Sequence, residues 1–273
     1  MSDATTPPEA LRGRCRAAAL DLEVRGATLE LFINQPERRN VLNPALVHCL
    51  IDALDWAVEC GALRCVLLGG RGDAFCAGYD IGDIGSNGRQ GAERDLVDRL
   101  ATHIENLPLP VVAAVNGPAI GGGCDLAVSC DIRLGSPAAR FGMPPARLGV
   151  LYAVDGMRRL MQRAGDSTAR EMLLTGVPID ARRAEQVALL AVVVEPGELL
   201  DRSRKLCARL VANAPLSVTG GKRSLGLLAA AAGWTDAARA ELAEIQRRVW
   251  GSTDASEGPR AFRERRTPQF VGR

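Results

Sequence analysis

Apolar and polar positions alternate with changing periods along the chain, and the changes mark its elements. Leu29-Glu30-Leu31-Phe32-Ile33-Asn34 reads as a strand that ends at Pro36. Asn43 then stands where a helix cap is expected, with Pro44 at the first helical position and an apolar stripe running to about Cys60. Arg64 to Leu68 is a short apolar strand before Gly69-Gly70, and Ala92 to Glu105 returns to helical spacing. Pro108 and Pro110 end that helix and open the strand Val111 to Val115. Strand and helix thus alternate, which predicts an α/β architecture of stacked β-β-α units. From Glu198 the pattern is helical throughout: Glu198 to Asn213, Pro215 to Ala232, Thr235 to Trp250 and Asp254 to Arg265. The expected organisation is a disordered leader over residues 1–18, with an amphipathic helix as the alternative its Ala- and Arg-richness leaves open, a core over 19–197 and a helical region over 198–273.

The strand at Val111 runs into Asn116-Gly-Pro-Ala-Ile-Gly-Gly-Gly-Cys-Asp-Leu-Ala-Val-Ser-Cys-Asp-Ile132, three glycines directly before a helix-forming stretch. Glycines there let backbone approach a ligand, and a helix start leaves N–H groups without intrahelical partners. With the positive end of the helix dipole, those amides can hold developing negative charge. A second glycine turn, Phe75-Cys76-Ala77-Gly78-Tyr79-Asp80, could face it and supply a second donor. Neither segment follows the Gly-x-Gly-x-x-Gly pattern with its later acid, and Cys124-Asp125 replaces the Lys-Ser/Thr end of a P-loop, so those modes of nucleotide binding are excluded.

Composition narrows the classes further. The chain has 273 residues, 47% hydrophobic and 24% charged, with a net charge of +2, which gives no reason to expect nucleic acid. The eight cysteines are scattered without a Cys-x-x-Cys pair, so buried free thiols in a reducing cytoplasm are expected, not disulfides or zinc. His48 and His103 have no Ser or Asp partner suggested by spacing, which argues against a catalytic triad. No apolar run approaches the ~20 residues of a membrane span, and the polar start lacks a signal peptide's apolar centre.

Four segments together resemble the crotonase (enoyl-CoA hydratase/isomerase) superfamily. Gln35 to Asn43 is similar to its N-terminal substrate-binding turn, Phe75 to Asp80 to its first oxyanion turn and Asn116 to Ile132 to its second. Arg182-Arg183-Ala184-Glu185 after Leu174-Thr175-Gly176 resembles its next helix. The resemblance implies a β-β-α spiral core with a C-terminal helical oligomerisation region, and assembly as a homotrimer or dimer of trimers. It implies an acyl-CoA substrate, no separate cofactor and no metal, with the thioester oxygen held by the amides of Tyr79 and Gly122. Arg39, Ala77, Gly78, Asp80, Ile81, Pro144 and Arg265 fall at positions that contact substrate or CoA.

The acid/base positions depart from a typical hydratase of that family. Its two glutamates are replaced by Asp125 and by Pro145 of Phe141-Gly142-Met143-Pro144-Pro145. Proline exchanges no proton, and aspartate is a methylene shorter. Gly149-Val150-Leu151-Tyr152-Ala153-Val154-Asp155-Gly156 and the C-terminal Arg260 to Gly272 resemble instead the methylmalonyl-CoA decarboxylase branch. In that reading Tyr152 hydrogen-bonds the leaving carboxylate and Asp125 or water returns the proton. A malonyl-type acyl-CoA decarboxylase is therefore the first expectation. The alternatives are a hydratase or isomerase using Asp125, alone or with Asp155, and an acyl-CoA-binding homologue without turnover.

Overall fold

The computed structural model describes residues 5–79, 90–148, 151–230 and 236–273. Helix α1 (Glu9–Ala17) leads into strands β1 (Leu20–Arg25) and β2 (Thr28–Ile33), which form an antiparallel hairpin with Leu22 opposite Leu31. Helix α2 (Pro44–Glu59) follows, with the Asn43 side chain accepting from Leu46 N as its cap. Then come β3 (Cys65–Gly70), α3 (Gln90–Asn106), β4 (Val111–Val115), β5 (Pro118–Ile120), α4 (Gly122–Ser129), β6 (Ile132–Gly135) and β7 (Arg140–Gly142). Helices α5 (Val154–Ala164) and α6 (Asp166–Thr175), strand β8 (Ile179–Asp180), helix α7 (Ala181–Gln186) and strand β9 (Val192–Val193) complete the core. The remainder is α8 (Leu199–Ala212), α9 (Pro215–Ala230), α10 (Asp236–Trp250) and α11 (Thr253–Glu264).

A six-stranded sheet runs β1-β2-β3-β4-β6-β9 and a three-stranded one β5-β7-β8. Strands β2, β3, β4 and β6 pair in parallel and are covered on both faces. Alternate residues therefore serve two cores. Val66, Leu68, Val111, Ala113 and Val115 join the large core with α2, α3 and α4. Cys65, Leu67, Val112 and Ala114 pack toward α8 through Leu199 and Cys207. This is the expected β-β-α spiral with a helical C-terminal region.

Two readings change. Residues 9–17 form α1, the amphipathic alternative to a disordered leader, because Leu11 and Cys15, one turn apart, are buried against α2 and the hairpin. The hairpin's first strand, β1, was not foreseen, although Leu20, Leu22 and Val24 alternate with Asp21, Glu23 and Arg25. No described helix is long and apolar enough to cross a membrane.

Candidate active site

The two glycine turns interlock. Cys76 bridges Ala119 in parallel: Phe75 and Cys76 amides donate to Pro118 O at 3.1 Å and Ile120 N returns to Cys76 O at 3.0 Å. This approach tolerates no Cβ. One placed on Gly123 would stand 2.0 Å from Cys76 O, one on Gly117 2.0 Å from Asp73 O, and one on Gly78 2.5 Å from Ile120 O. Gly78 also has φ +93°, a region that L side chains rarely adopt.

Tyr79 follows directly. It bridges Leu42, whose N–H donates to Gly78 O at 2.7 Å, so chain alternation turns the Tyr79 amide to the opposite side, toward α4. There it meets Gly122, the first residue of α4: a Cβ on Gly122 would lie 3.6 Å from Tyr79 N, and one on Gly78 3.3 Å from Gly122 N. The Gly122 N–H is in the first helical turn, where no i−4 carbonyl exists. Asp125 N donates to Gly121 O and Gly121 N to Gly142 O, which fixes the start of α4 against β7. Two neighbouring amides at a helix start can share an oxygen that becomes negative during reaction.

The N-terminal substrate turn is braced by Asn40, which is fully buried with φ +57°. Its Nδ2 donates to Arg71 O and Ala74 O and its Oδ1 accepts from Gln35 N. Arg39, exposed, receives the Ala77 N–H on its carbonyl at 2.9 Å, so Arg39, Ala77 and Gly78 lie together beside the amides. Pro144 is half-buried close to Gly176. Arg265 is exposed just beyond α11, and among the described residues no hydrogen bond or ion pair joins it to either glycine turn. Asp80, Ile81, Gly149 and Val150 lie outside the described residues.

Asp125 does not stand open to a ligand. It is 0% exposed, one helical turn after Gly122, and its carboxylate is forked by Arg159: Nε to Oδ1 at 2.9 Å and Nη2 to Oδ2 at 3.0 Å. Tyr152 Oη donates to the same Oδ2 at 3.3 Å. Arg159, itself 1% exposed, also binds Asp98 at 2.5 Å and Thr102 Oγ1 at 3.1 Å, both on α3. Burial pushes the Asp125 carboxyl up from its ordinary value while the guanidinium pulls it back. Burial and the Asp125 charge push the Tyr152 phenol well up.

Tyr152, expected to hydrogen-bond a leaving carboxylate, pairs its hydroxyl with Asp125 Oδ2 in this structure. Asp155 takes no part, being exposed and turned to Arg158 at 3.4 Å. Arg159 was missed, yet it had a signal. The buried face of α5 is Gly156, Arg159, Leu160 and Ala164, and a charge in such a stripe requires a buried partner. Pro145 is buried at the start of a short 3-10 turn, Pro145–Leu148, so no carboxylate occupies that position.

The two glycine turns thus interlock at the start of α4, on a spiral of β-β-α units. The chain belongs to the enoyl-CoA hydratase/isomerase family, whose model matches residues 23–273. It is 34% identical to the enoyl-CoA hydratase EchA19 of Mycobacterium tuberculosis, over 92% of this chain and 96% of that one. It is 31% identical to the 2,3-dehydroadipyl-CoA hydratase of Escherichia coli, over 90% and 95% of the two chains. The crystal structure of an enoyl-CoA hydratase from Bacillus anthracis superposes with a TM-score of 0.87 at 27% identity, covering 93% of this chain and 100% of that one. These relatives carry hydratase names, which favours the hydratase or isomerase alternative over the decarboxylase branch.

Proposed function

We propose that the protein acts on an acyl-CoA thioester, holding its oxygen between the amides of Tyr79 and Gly122 while an enolate forms, and that the reaction is enoyl-CoA hydration or isomerisation. The observation that carries the first part is the approach of the two turns, which brings those amides side by side. The reaction type is supported by the relatives' names and by Asp125. It is the carboxylate one helical turn from Gly122, and burial moves its pKa upward, the direction that proton exchange near neutrality needs. Tyr152 and Asp125 form one hydrogen-bonded pair, and that pair is the group we assign to moving the proton.

A second reading is favoured by one specific observation. Pro145 puts no carboxylate at the position where hydratases of the family carry their second glutamate, and decarboxylation of a malonyl-type thioester requires none there, because breaking the C–C bond needs no general base. Crotonyl-, malonyl-, methylmalonyl- and ethylmalonyl-CoA, followed by mass spectrometry, separate the two. Hydration of crotonyl-CoA that Asp125→Asn abolishes is the expected outcome. Loss of CO2 from a malonyl-type thioester, cut by Tyr152→Phe and little affected by Asp125→Asn, would replace the first reading with the second. Binding without turnover on the whole panel would reduce the chain to an acyl-CoA-binding homologue. Assembly as a trimer or dimer of trimers belongs to the same proposal, supported by the exposed Leu225 and Leu228 of α9. A monomeric mass by light scattering would count against it.

A further inference from the structure

The Asp125 carboxylate is met by two side chains, and one of them is held in turn from α3. Arg159 forks it from α5, Tyr152 donates to it from the turn before α5, and Asp98 and Thr102 of α3 hold the far side of the same guanidinium. Glu105, also on α3, stands 3.7 Å from Arg159 Nη1 and is itself bound by Arg158 at 2.6 Å. Within α4, Cys124 adjoins Asp125, its thiol pushed up by burial and so neutral. Arg158 also meets Asp155, so two arginines face four carboxylates, of which Asp125 alone has no exposure; Asp98 is 24%, Glu105 20% and Asp155 59% exposed in the side chain.

We propose that Arg159 is a positioning residue that keeps Asp125 ionised, so that the Tyr152 proton is committed to Asp125 and the phenol oxygen offers substrate only an acceptor, selecting an uncharged acyl group over a carboxylate-bearing one. The inference rests on the acyl-CoA reading above and adds its substrate class. A phenol has one proton and two lone pairs, whereas an ionised carboxylate only accepts. With Asp125 ionised, the proton has one acceptor at hand and lies on the Asp125 side. An acyl carboxylate, also acceptor-only, then finds no donor on Tyr152 and a buried negative charge behind it. Burial alone would favour the neutral acid. The Arg159 fork opposes that, and without it Asp125 takes up a proton, donates to Tyr152 and releases the phenol proton toward the ligand. Tyr152 is half-buried and packs against the large core, while Leu151 before it and Val154 after it are exposed.

The test is calorimetric binding of butyryl-CoA and succinyl-CoA, an uncharged and a carboxylate-bearing probe, from mildly acid to mildly alkaline pH. The wild type is expected to prefer butyryl-CoA by about tenfold or more at the alkaline end. The preference should shrink on the acid side as Asp125 gains a proton. Arg159→Met moves that loss to higher pH and Arg159→Lys moves it back, a shift that a merely structural role would not produce. Asp125→Asn, neutral at every pH, abolishes both the preference and its pH dependence. A wild-type preference that does not change with pH overturns the proposal, as does one retained unchanged in Asp125→Asn, which serves even if Arg159→Met does not fold. Binding of neither probe by the wild type overturns the acyl-CoA reading and this inference with it.

Discussion

Gly78→Ala is the most direct perturbation of the paired amides. The new Cβ would stand 2.5 Å from Ile120 O, and at φ +93° the alanine backbone is strained as well. Strain of this kind costs on the order of 1–3 kcal/mol. The contact cannot be relieved by a side-chain rotation, because Ile120 is held by Ile120 N→Cys76 O at 3.0 Å and by pairing of β5 with β7. The shift of roughly 0.5–1 Å needed to reach ordinary van der Waals separation must fall on Gly78 and Tyr79. That carries the Tyr79 amide away from the Gly122 amide. If that amide is an oxyanion donor as proposed, its loss lowers kcat by about 10²–10³-fold, or roughly 3–4 kcal/mol of transition-state stabilisation. The assay is turnover on whichever thioester the wild type consumes, with circular dichroism and a urea titration showing that the variant is folded. Gly61→Ala is the control: φ is +67°, but nothing lies within 4 Å of its Cβ, so it carries strain without a clash. A folded Gly78→Ala with turnover within about twofold of wild type, or a Gly61→Ala that slows as much, would refute the reasoning.

Three further outcomes follow from buried polar groups. Asn40→Ala leaves the Arg71 carbonyl and the Gln35 N–H without their side-chain partner and the Ala74 carbonyl with Asn116 Nδ2 alone, and should cost about 2–4 kcal/mol in urea unfolding. A loss below roughly 0.5 kcal/mol would contradict the bracing role given to it. Arg133→Met removes a buried guanidinium that donates to Leu189 O at 2.6 Å and Cys130 O at 2.5 Å at the C-terminal end of α4, and should lower stability by about 2–4 kcal/mol. An unchanged unfolding midpoint would show that α4 does not depend on that cap. Burial pushes the Cys15, Cys76 and Cys130 thiols up to about 12, so their thiolate fraction at pH 8 is about 10⁻⁴ and native alkylation should spare them. Peptide mapping after iodoacetamide should find the label first on the half-buried Cys60, and early labelling of Cys76 would show that the first glycine turn opens.

Much of this was legible along the chain, for local reasons. The α2 cap, the strand at Val111 and the helix after the triple glycine each depend on neighbours within a few residues, so Asn43, Pro110 and Gly121 announce them. The tail helices agree within a residue or two because their apolar spacing is regular. Strands β8 and β9, two residues each, carry too little pattern to be seen and exist only through pairing with β7 and β6. The site divides in the same way. The interlocking turns were visible as glycines, but what surrounds Asp125 was not, since Arg159 lies 34 residues away and Asp98 reaches it from a third helix. Motif resemblance placed Tyr152 at the pocket; only the fold gives its hydroxyl a direction.

That direction also limits how single substitutions here can be interpreted. Tyr152, Asp125 and Arg159 share three hydrogen bonds around one carboxylate, so none has an environment independent of the other two. Removing Arg159 leaves a buried acid that must either take up a proton or destabilise the fold. Removing Asp125 frees the tyrosine proton and takes the forked partner from a guanidinium that is 1% exposed, leaving it Asp98, Thr102 and Glu105 on α3. The three effects are therefore not additive, and a loss of turnover in any one variant does not identify the group that moves the proton. Tyr152→Phe disturbs this balance least, because it deletes one oxygen and leaves the Arg159–Asp125–Asp98 charges in place. A change in acyl preference in that variant, with CoA affinity retained, reports on the phenol itself, whereas the same change in Asp125→Asn reports on the whole cluster.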